Sequence, residues 1–221
     1  MVAADASGEA GRRPAWLLLP PIRGGIARRL SDACVQSGRT FGTPTSHCVA
    51  PREVADHLHT AIGAIGLARA FVVGLSFGGQ VAQALLQFRP ERVAGLLLIA
   101  SGAPDRARGA ALRRSRWAWR WLPAARRVPR ERLMASDLEG ATEPGAFATA
   151  RLPVHLLELG ADAVISPDES ARLRALFPQA TRTVVARLGH DALVAWPDPL
   201  HDAAIVAMDA LLSAAARAGS R

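Results

Sequence analysis

Apolar residues along this chain come in short runs. Trp16 to Leu19, Ala70 to Val73, Val93 to Ala100, Val154 to Leu159 and Arg182 to Val185 are each bounded by glycine, proline or polar residues. Short runs with few charges are what buried parallel strands need, because both faces of such a strand are covered. Between the first two runs, Val54, Leu58, Ala61, Ile62 and Ile65 recur at three- and four-residue spacing, and Pro51 stands where a first helical turn tolerates it. That spacing predicts a helix from about Arg52 to Leu67 with one buried face. Further helices are predicted from Gln80 to Phe88, closed by Arg89-Pro90, from Ala171 to Leu176 and from His201 to Ala216. Strands alternating with helices imply an α/β fold with a mostly parallel central sheet flanked by helices.

One stretch breaks the rhythm. Between Pro104 and Ala150, ten arginines from Arg106 to Arg132 surround Trp117, Trp119 and Trp121. Residues 1–103 and 151–221 are therefore read as two parts of one core, and 104–150 as a short helical cap insertion. On a helix the three tryptophans fan around the axis by ~100° per residue, so at most two share a side. One reading is an amphipathic cap with solvated arginines. Another is a docking patch for an acidic acyl carrier protein or an anionic substrate; stacking on nucleic acid is the weaker alternative.

Composition narrows the class. A chain of 221 residues with 50% apolar content and a mean hydropathy of +0.13 can bury one core without a staple. No uninterrupted apolar run approaches the ~18 residues that span a bilayer. The segment up to Pro14 is small, polar and charged rather than a signal peptide. Cys34 and Cys48 are the only cysteines, so a disulfide framework is not expected and a reducing cytoplasm is the expected compartment. The net charge of +8 invites an acidic partner. Yet every basic side chain besides histidine is arginine, and with abundant alanine this reads as the residue usage of a GC-rich genome.

Candidate chemistry begins at Val73-Gly74-Leu75-Ser76-Phe77-Gly78-Gly79. A serine hydroxyl is a poor nucleophile until a base takes its proton, and a sharp strand-to-helix turn exposes the oxygen while aiming backbone N–H groups at a reacting carbonyl. Glycines two before and two after Ser76 leave room for that turn. Gly74 to Gly79, then Arg89-Pro90-Glu91-Arg92-Val93, then Leu98-Ile99-Ala100-Ser101, resemble the α/β-hydrolase superfamily and its small esterase-like branch.

The resemblance implies that an acid and then a base follow the nucleophile, each on a loop after a strand. Asp162, in Gly160-Ala161-Asp162, matches the acid loop, one position closer to the glycine than in most relatives; a turn-capping aspartate is the alternative, and Asp168 the fallback. His190, in Leu188-Gly189-His190 after the last apolar run, matches the base. Phe77 N–H would be one oxyanion donor. The other would come from the loop after the first strand, where Pro20 and Pro21 lack an N–H, leaving Ile22 or Arg23.

Relatives carry another strand and a Gly-rich loop before the helix at Arg52, and Arg39 to Pro44 reads as a remnant of that loop with the strand shortened or deleted. The implied function is a serine hydrolase acting on a carboxylic ester or thioester through an acyl-serine, with no cofactor and no metal. Gly189-His190-Asp191-Ala192-Leu193 also resembles the ending of homoserine acyltransferases, where an alcohol replaces water, and a binding or scaffold protein with impaired catalysis is the third reading. The expected partner is a small-molecule ester or thioester, with neither membrane nor nucleic acid.

Overall fold

The apolar runs become strands and the amphipathic stretches become helices in the computed structural model, which describes residues 14–21, 28–37, 39–42, 51–103, 145 and 147–219. In chain order the elements are β1 (Ala15–Leu19), α1 (Arg28–Ser37), β2 (Arg39–Gly42), α2 (Pro51–Ala64), β3 (Ala70–Leu75), α3 (Phe77–Phe88), β4 (Val93–Ile99), β5 (Val154–Leu159), α4 (Pro167–Leu176), β6 (Thr181–Val185), α5 (Ala192–Ala195) and α6 (Asp198–Gly219). The strands form one parallel sheet in the order β2-β1-β3-β4-β5-β6. Most of the predicted cap, residues 104–144 and 146, lies outside the described residues. Its end does not: the ring of Phe147 stacks on Phe177 at a centroid distance of 4.6 Å and joins the core.

Alternation along the central strands divides the core between the two faces. Leu17, Leu19, Val72, Leu96, Leu98 and Leu156 pack with side chains of α2, α3 and α4, including Leu58, Leu85 and Leu173. Trp16, Leu18, Val73, Leu97, Ile99 and Leu157 pack with Leu30 of α1 and Leu200, Ala204, Met208 and Leu211 of α6. Each fully buried leucine contributes about 1.5–3 kcal/mol relative to exposure. Although α6 is long and apolar enough by length and composition to cross a membrane, those four side chains form one face against the sheet.

The N-terminal half is less abbreviated than its sequence suggests. Arg39–Gly42 is a strand and not a loop remnant: Ala15 pairs with Arg39 and Leu18 with Gly42. An edge strand is held by backbone bonds along one side and needs no apolar run, so Arg-Thr-Phe-Gly gives little signal. Helix ends also differ by a few residues from those expected. α2 stops at Ala64 because Gly66, at φ 73°, lets the Leu67 N–H donate to Ile62 and the Gly66 N–H to Gly63, a Schellman closure. α4 begins at Pro167, where Ser166 and Glu169 form a capping box.

At the far edge, His155 of β5 faces Thr181 and Thr183 of β6. Its Nδ1 lies 2.8 Å from Thr181 Oγ1 and its Nε2 3.1 Å from Thr183 Oγ1, while Thr181 Oγ1 donates to the Val154 carbonyl at 3.3 Å. Having given its proton to Val154, Thr181 accepts from Nδ1–H, and in the neutral imidazole that burial favours Nε2 accepts from the Thr183 hydroxyl. Burial holds its pKa below the ordinary 6.5. As pH falls below about 6.5 the unfolded chain takes up a proton that the folded chain refuses, so stability falls until the depressed folded pKa is reached. The thermal midpoint is expected to drop between about pH 7 and pH 5, with a shallower slope in His155→Gln. Equal slopes in the two proteins would refute this.

The chain leaves β1 outward to β2 and returns to β3 on the other side of β1. The winding thus reverses between β1 and β3, and in open α/β sheets the crevice beyond the strand ends at such a point is where ligands bind. Ser76 follows β3 there.

Candidate active site

Ser76 stands between the last residue of β3 and the first of α3 with φ 52° and ψ −116°. A β-carbon makes that conformation costly, by about 1–3 kcal/mol, and the surroundings hold it. The Ser76 N–H donates to the Ile99 carbonyl of β4 at 2.9 Å, and the Ser76 carbonyl accepts from Gly79 N–H at 3.0 Å. The flanking glycines permit close packing: a Cβ on Gly74 would stand 2.5 Å from Gly79 Cα, and one on Gly78 would stand 2.1 Å from the Leu19 carbonyl oxygen of β1.

The loops after β5 and β6 are tied together. Gly160 N–H donates to Val185 at 3.0 Å and Ala161 N–H to Leu188 at 2.9 Å. Arg187, at φ 62°, turns the chain toward Gly189, where a Cβ would lie 3.3 Å from the Ala161 carbonyl oxygen. His190 therefore emerges beside Asp162. His190 Nδ1 lies 2.8 Å from Asp162 Oδ2, and its Nε2 lies 2.9 Å from Ser76 Oγ. The His190 side chain is 20% exposed and that of Asp162 only 5%.

The other oxygen of Asp162 is also used. Oδ1 accepts the backbone N–H groups of Val164 at 2.8 Å and Ile165 at 2.9 Å. The turn-capping role and the role facing histidine, posed as alternatives by the sequence, thus fall to different oxygens of one carboxylate. Burial pushes the carboxyl pKa up. The His190 hydrogen bond, the Ile165 and Val164 N–H groups and the charge interaction with His190 outweigh it, so the net shift is downward. Asp162 therefore contributes stability that is present above the ordinary carboxylate pKa and is lost only as pH falls through the depressed folded value. An ionised Asp162 accepts Nδ1–H, which leaves Nε2 free to accept the Ser76 hydroxyl proton.

Phe77 opens α3, and its N–H is among the first-turn amides that have no partner within a helix. The end of β1 lies against this turn, since the Cβ built on Gly78 comes within 2.7 Å of the Pro20 carbonyl oxygen. Ile22, named as the second donor, and Arg23 lie outside the described residues. Asp168 is exposed in the first turn of α4, between the capping-box residues Ser166 and Glu169, and has no hydrogen bond to His190. The sequence reading did not single out the Val164 and Ile165 amides that grip Asp162; the signal for them is an aspartate two residues after a glycine at a strand end, the start of an Asx-turn.

Because the atoms nearest the virtual Cβ of Gly78 are all backbone of Leu19 and Pro20, no side chain can move to relieve a substitution there. Gly78→Ala is expected to lower the unfolding free energy by roughly 3 kcal/mol, at the upper end for overpacking. Gly63→Ala, in the last turn of α2 with Arg92 Nη2 at 3.5 Å as the nearest atom outside the helix backbone, should be neutral or stabilising by up to about 1 kcal/mol. Urea unfolding of both variants checks the contrast, and equal midpoints would refute it.

A family model described as alpha/beta hydrolase fold matches residues 37–144, just under half of the chain, a span that includes Ser76 and ends before Asp162 and His190. Among solved structures, a carboxylesterase of the ammonia-oxidizing thaumarchaeon Nitrososphaera gargenis is 13% identical, with a TM-score of 0.66 over 91% of this chain and 92% of that one. The carboxylesterase CesB of Bacillus subtilis is 18% identical, with a TM-score of 0.60 over 90% and 84% of the two chains. A meta-cleavage product hydrolase from Pseudomonas fluorescens is 18% identical, with a TM-score of 0.64 over 89% and 90%. A search of curated protein sequences finds no match.

Proposed function

From the α/β-hydrolase fold of this chain, we propose that it is a serine hydrolase that cleaves a carboxylic ester or thioester through an acyl-Ser76 intermediate. The observation that carries this reading is the unbroken relay from Ser76 Oγ to His190 Nε2 at 2.9 Å and from His190 Nδ1 to Asp162 Oδ2 at 2.8 Å.

In the acylation step Ser76 Oγ attacks the carbonyl carbon while His190 Nε2 takes its proton. Asp162 remains a carboxylate and stabilises the imidazolium. The carbonyl oxygen becomes an oxyanion facing the Phe77 N–H, with Ile22 N–H as the proposed second donor. Losing one such donor costs about 3 kcal/mol of transition-state stabilisation. Collapse of the tetrahedral intermediate expels the alcohol or thiol, which leaves with the proton from His190. Water then repeats the sequence: His190 takes its proton, hydroxide attacks the acyl carbon, and the proton returns to Ser76 Oγ as the acid departs.

The test combines labelling and turnover. A fluorophosphonate should modify the protein at one site, within the peptide containing Ser76, and short-chain aryl esters should yield free acid. Wild-type protein that stays unlabelled while an esterase control reacts would overturn the reading in favour of a binding protein. Product accumulating as a new ester only when an alcohol is added would assign acyl transfer instead.

A further inference from the structure

Gln83 sits on α3 one turn beyond Gly79 and is fully buried. Its Nε2 donates to the Gly79 carbonyl at 3.1 Å and to the Gly102 carbonyl at 3.2 Å. Its Oε1 has no partner among the described residues, so the bonding of this side chain rests on the amide N–H groups. Gly79 belongs to the turn that holds Ser76, and Gly102 to the stretch leaving β4.

Gly102 in turn lies beside the acid loop, with room between them for about one methyl group. A Cβ built there would lie 3.4 Å from Glu169 Cβ and 3.7 Å from Ile165 Cδ1, ordinary contact distances. The Ile165 N–H is one of the two that hold Asp162 Oδ1. Gln83 therefore ties the turn at Ser76, through Gly79, to Gly102, which lies next to the loop whose Ile165 N–H holds Asp162.

We propose that Gln83 is a positioning residue that sets the spacing between the Ser76 turn and the Asp162 loop by clamping the Gly79 and Gly102 carbonyls together. This rests on the hydrolase reading given above. An apolar side chain could fill the same volume, but it would leave the two carbonyls free to part. Shifts of about 1 Å in reacting groups, caused at a distance, can lower rates about a hundredfold.

Two substitutions test the clamp. Gln83→Met keeps length and removes both donors; kcat should fall about tenfold to a hundredfold with KM changed less than about twofold, and the rate of fluorophosphonate inactivation should fall in proportion. Gln83→Glu places a carboxyl against two carbonyl oxygens, where burial favours the protonated form, whose O–H restores one bond. Its activity relative to wild type should therefore rise as pH is lowered, whereas the Gln83→Met ratio stays flat. A merely structural residue would change unfolding midpoints without that pH-dependent ratio. Should Gln83→Met fail to fold, the Gln83→Glu ratio decides. A folded Gln83→Met with wild-type kcat and inactivation rate, or a flat Gln83→Glu ratio, would overturn this inference alone. Wild-type protein inert to the probe would overturn the hydrolase reading and the inference with it.

Discussion

Ser76→Ala is expected to lower kcat on a short-chain ester by about 10⁴- to 10⁶-fold and to abolish fluorophosphonate labelling, with the fold intact. The size of the loss follows from chemistry, because no other hydroxyl is hydrogen-bonded to His190 among the described residues. Intact stability follows from the backbone: alanine carries the same β-carbon as serine and meets the same cost at φ 52° and ψ −116°. Ser76→Gly separates the two effects. Glycine occupies that region without steric strain, and the greater freedom it gives the unfolded chain offsets only part of the gain, so this variant should be equally inactive yet more stable than wild type by about 0.5–2 kcal/mol. Measuring turnover and urea unfolding on all three proteins checks the pair. Residual turnover above about a hundredth of wild type in Ser76→Ala would refute the nucleophile, and an unchanged midpoint in Ser76→Gly would refute the strain.

How legible such a site is depends on what each residue must do. The central strands were readable because both of their faces are buried: Trp16 and Leu18 face one helix layer and Leu17 and Leu19 the other, which forces a continuous apolar run. The edge strand Arg39–Gly42 and the polar helix before it were not, since an edge strand needs only a neighbour's backbone. The turn at Ser76 was legible through its glycines, each of which sits where a Cβ would strike backbone or a buried side chain. Asp162 and His190 stand out by chain order and strand-end position, which resemblance to a superfamily supplies, and the structure brings both beside Ser76. Their convergence depends on backbone bonds between the two loops that no side-chain pattern encodes. Gln83 is hidden in the sequence for a different reason. A glutamine within a helix reads as a solvent-facing residue, and only the packing of α3 against the exit of β4 reveals it as buried.

The second large effect is expected at Asp162, where the structure makes asparagine a more damaging replacement than its shape implies. Oδ1 is fixed by the Val164 and Ile165 N–H groups, so an asparagine would keep its carbonyl oxygen there and turn its NH2 toward His190. The imidazole could then meet that NH2 only by presenting an unprotonated Nδ1, with its proton moved to Nε2. Nε2 would face Ser76 Oγ as a donor, unable to accept the hydroxyl proton. Rotating the amide to restore the tautomer would turn its NH2 against both backbone N–H groups and strand the part-buried one of Ile165, at about 1–3 kcal/mol. Asp162→Asn should therefore lose about 10⁴-fold in kcat, at least as much as Asp162→Ala. Stability should follow the opposite order, because asparagine preserves the turn that alanine abandons, and thermal midpoints together with kcat for the two variants measure both rankings. An Asp162→Asn enzyme within about tenfold of wild-type kcat would mean that the tautomer is set by something other than Asp162, and the relay from Ser76 through His190 would lose its third member.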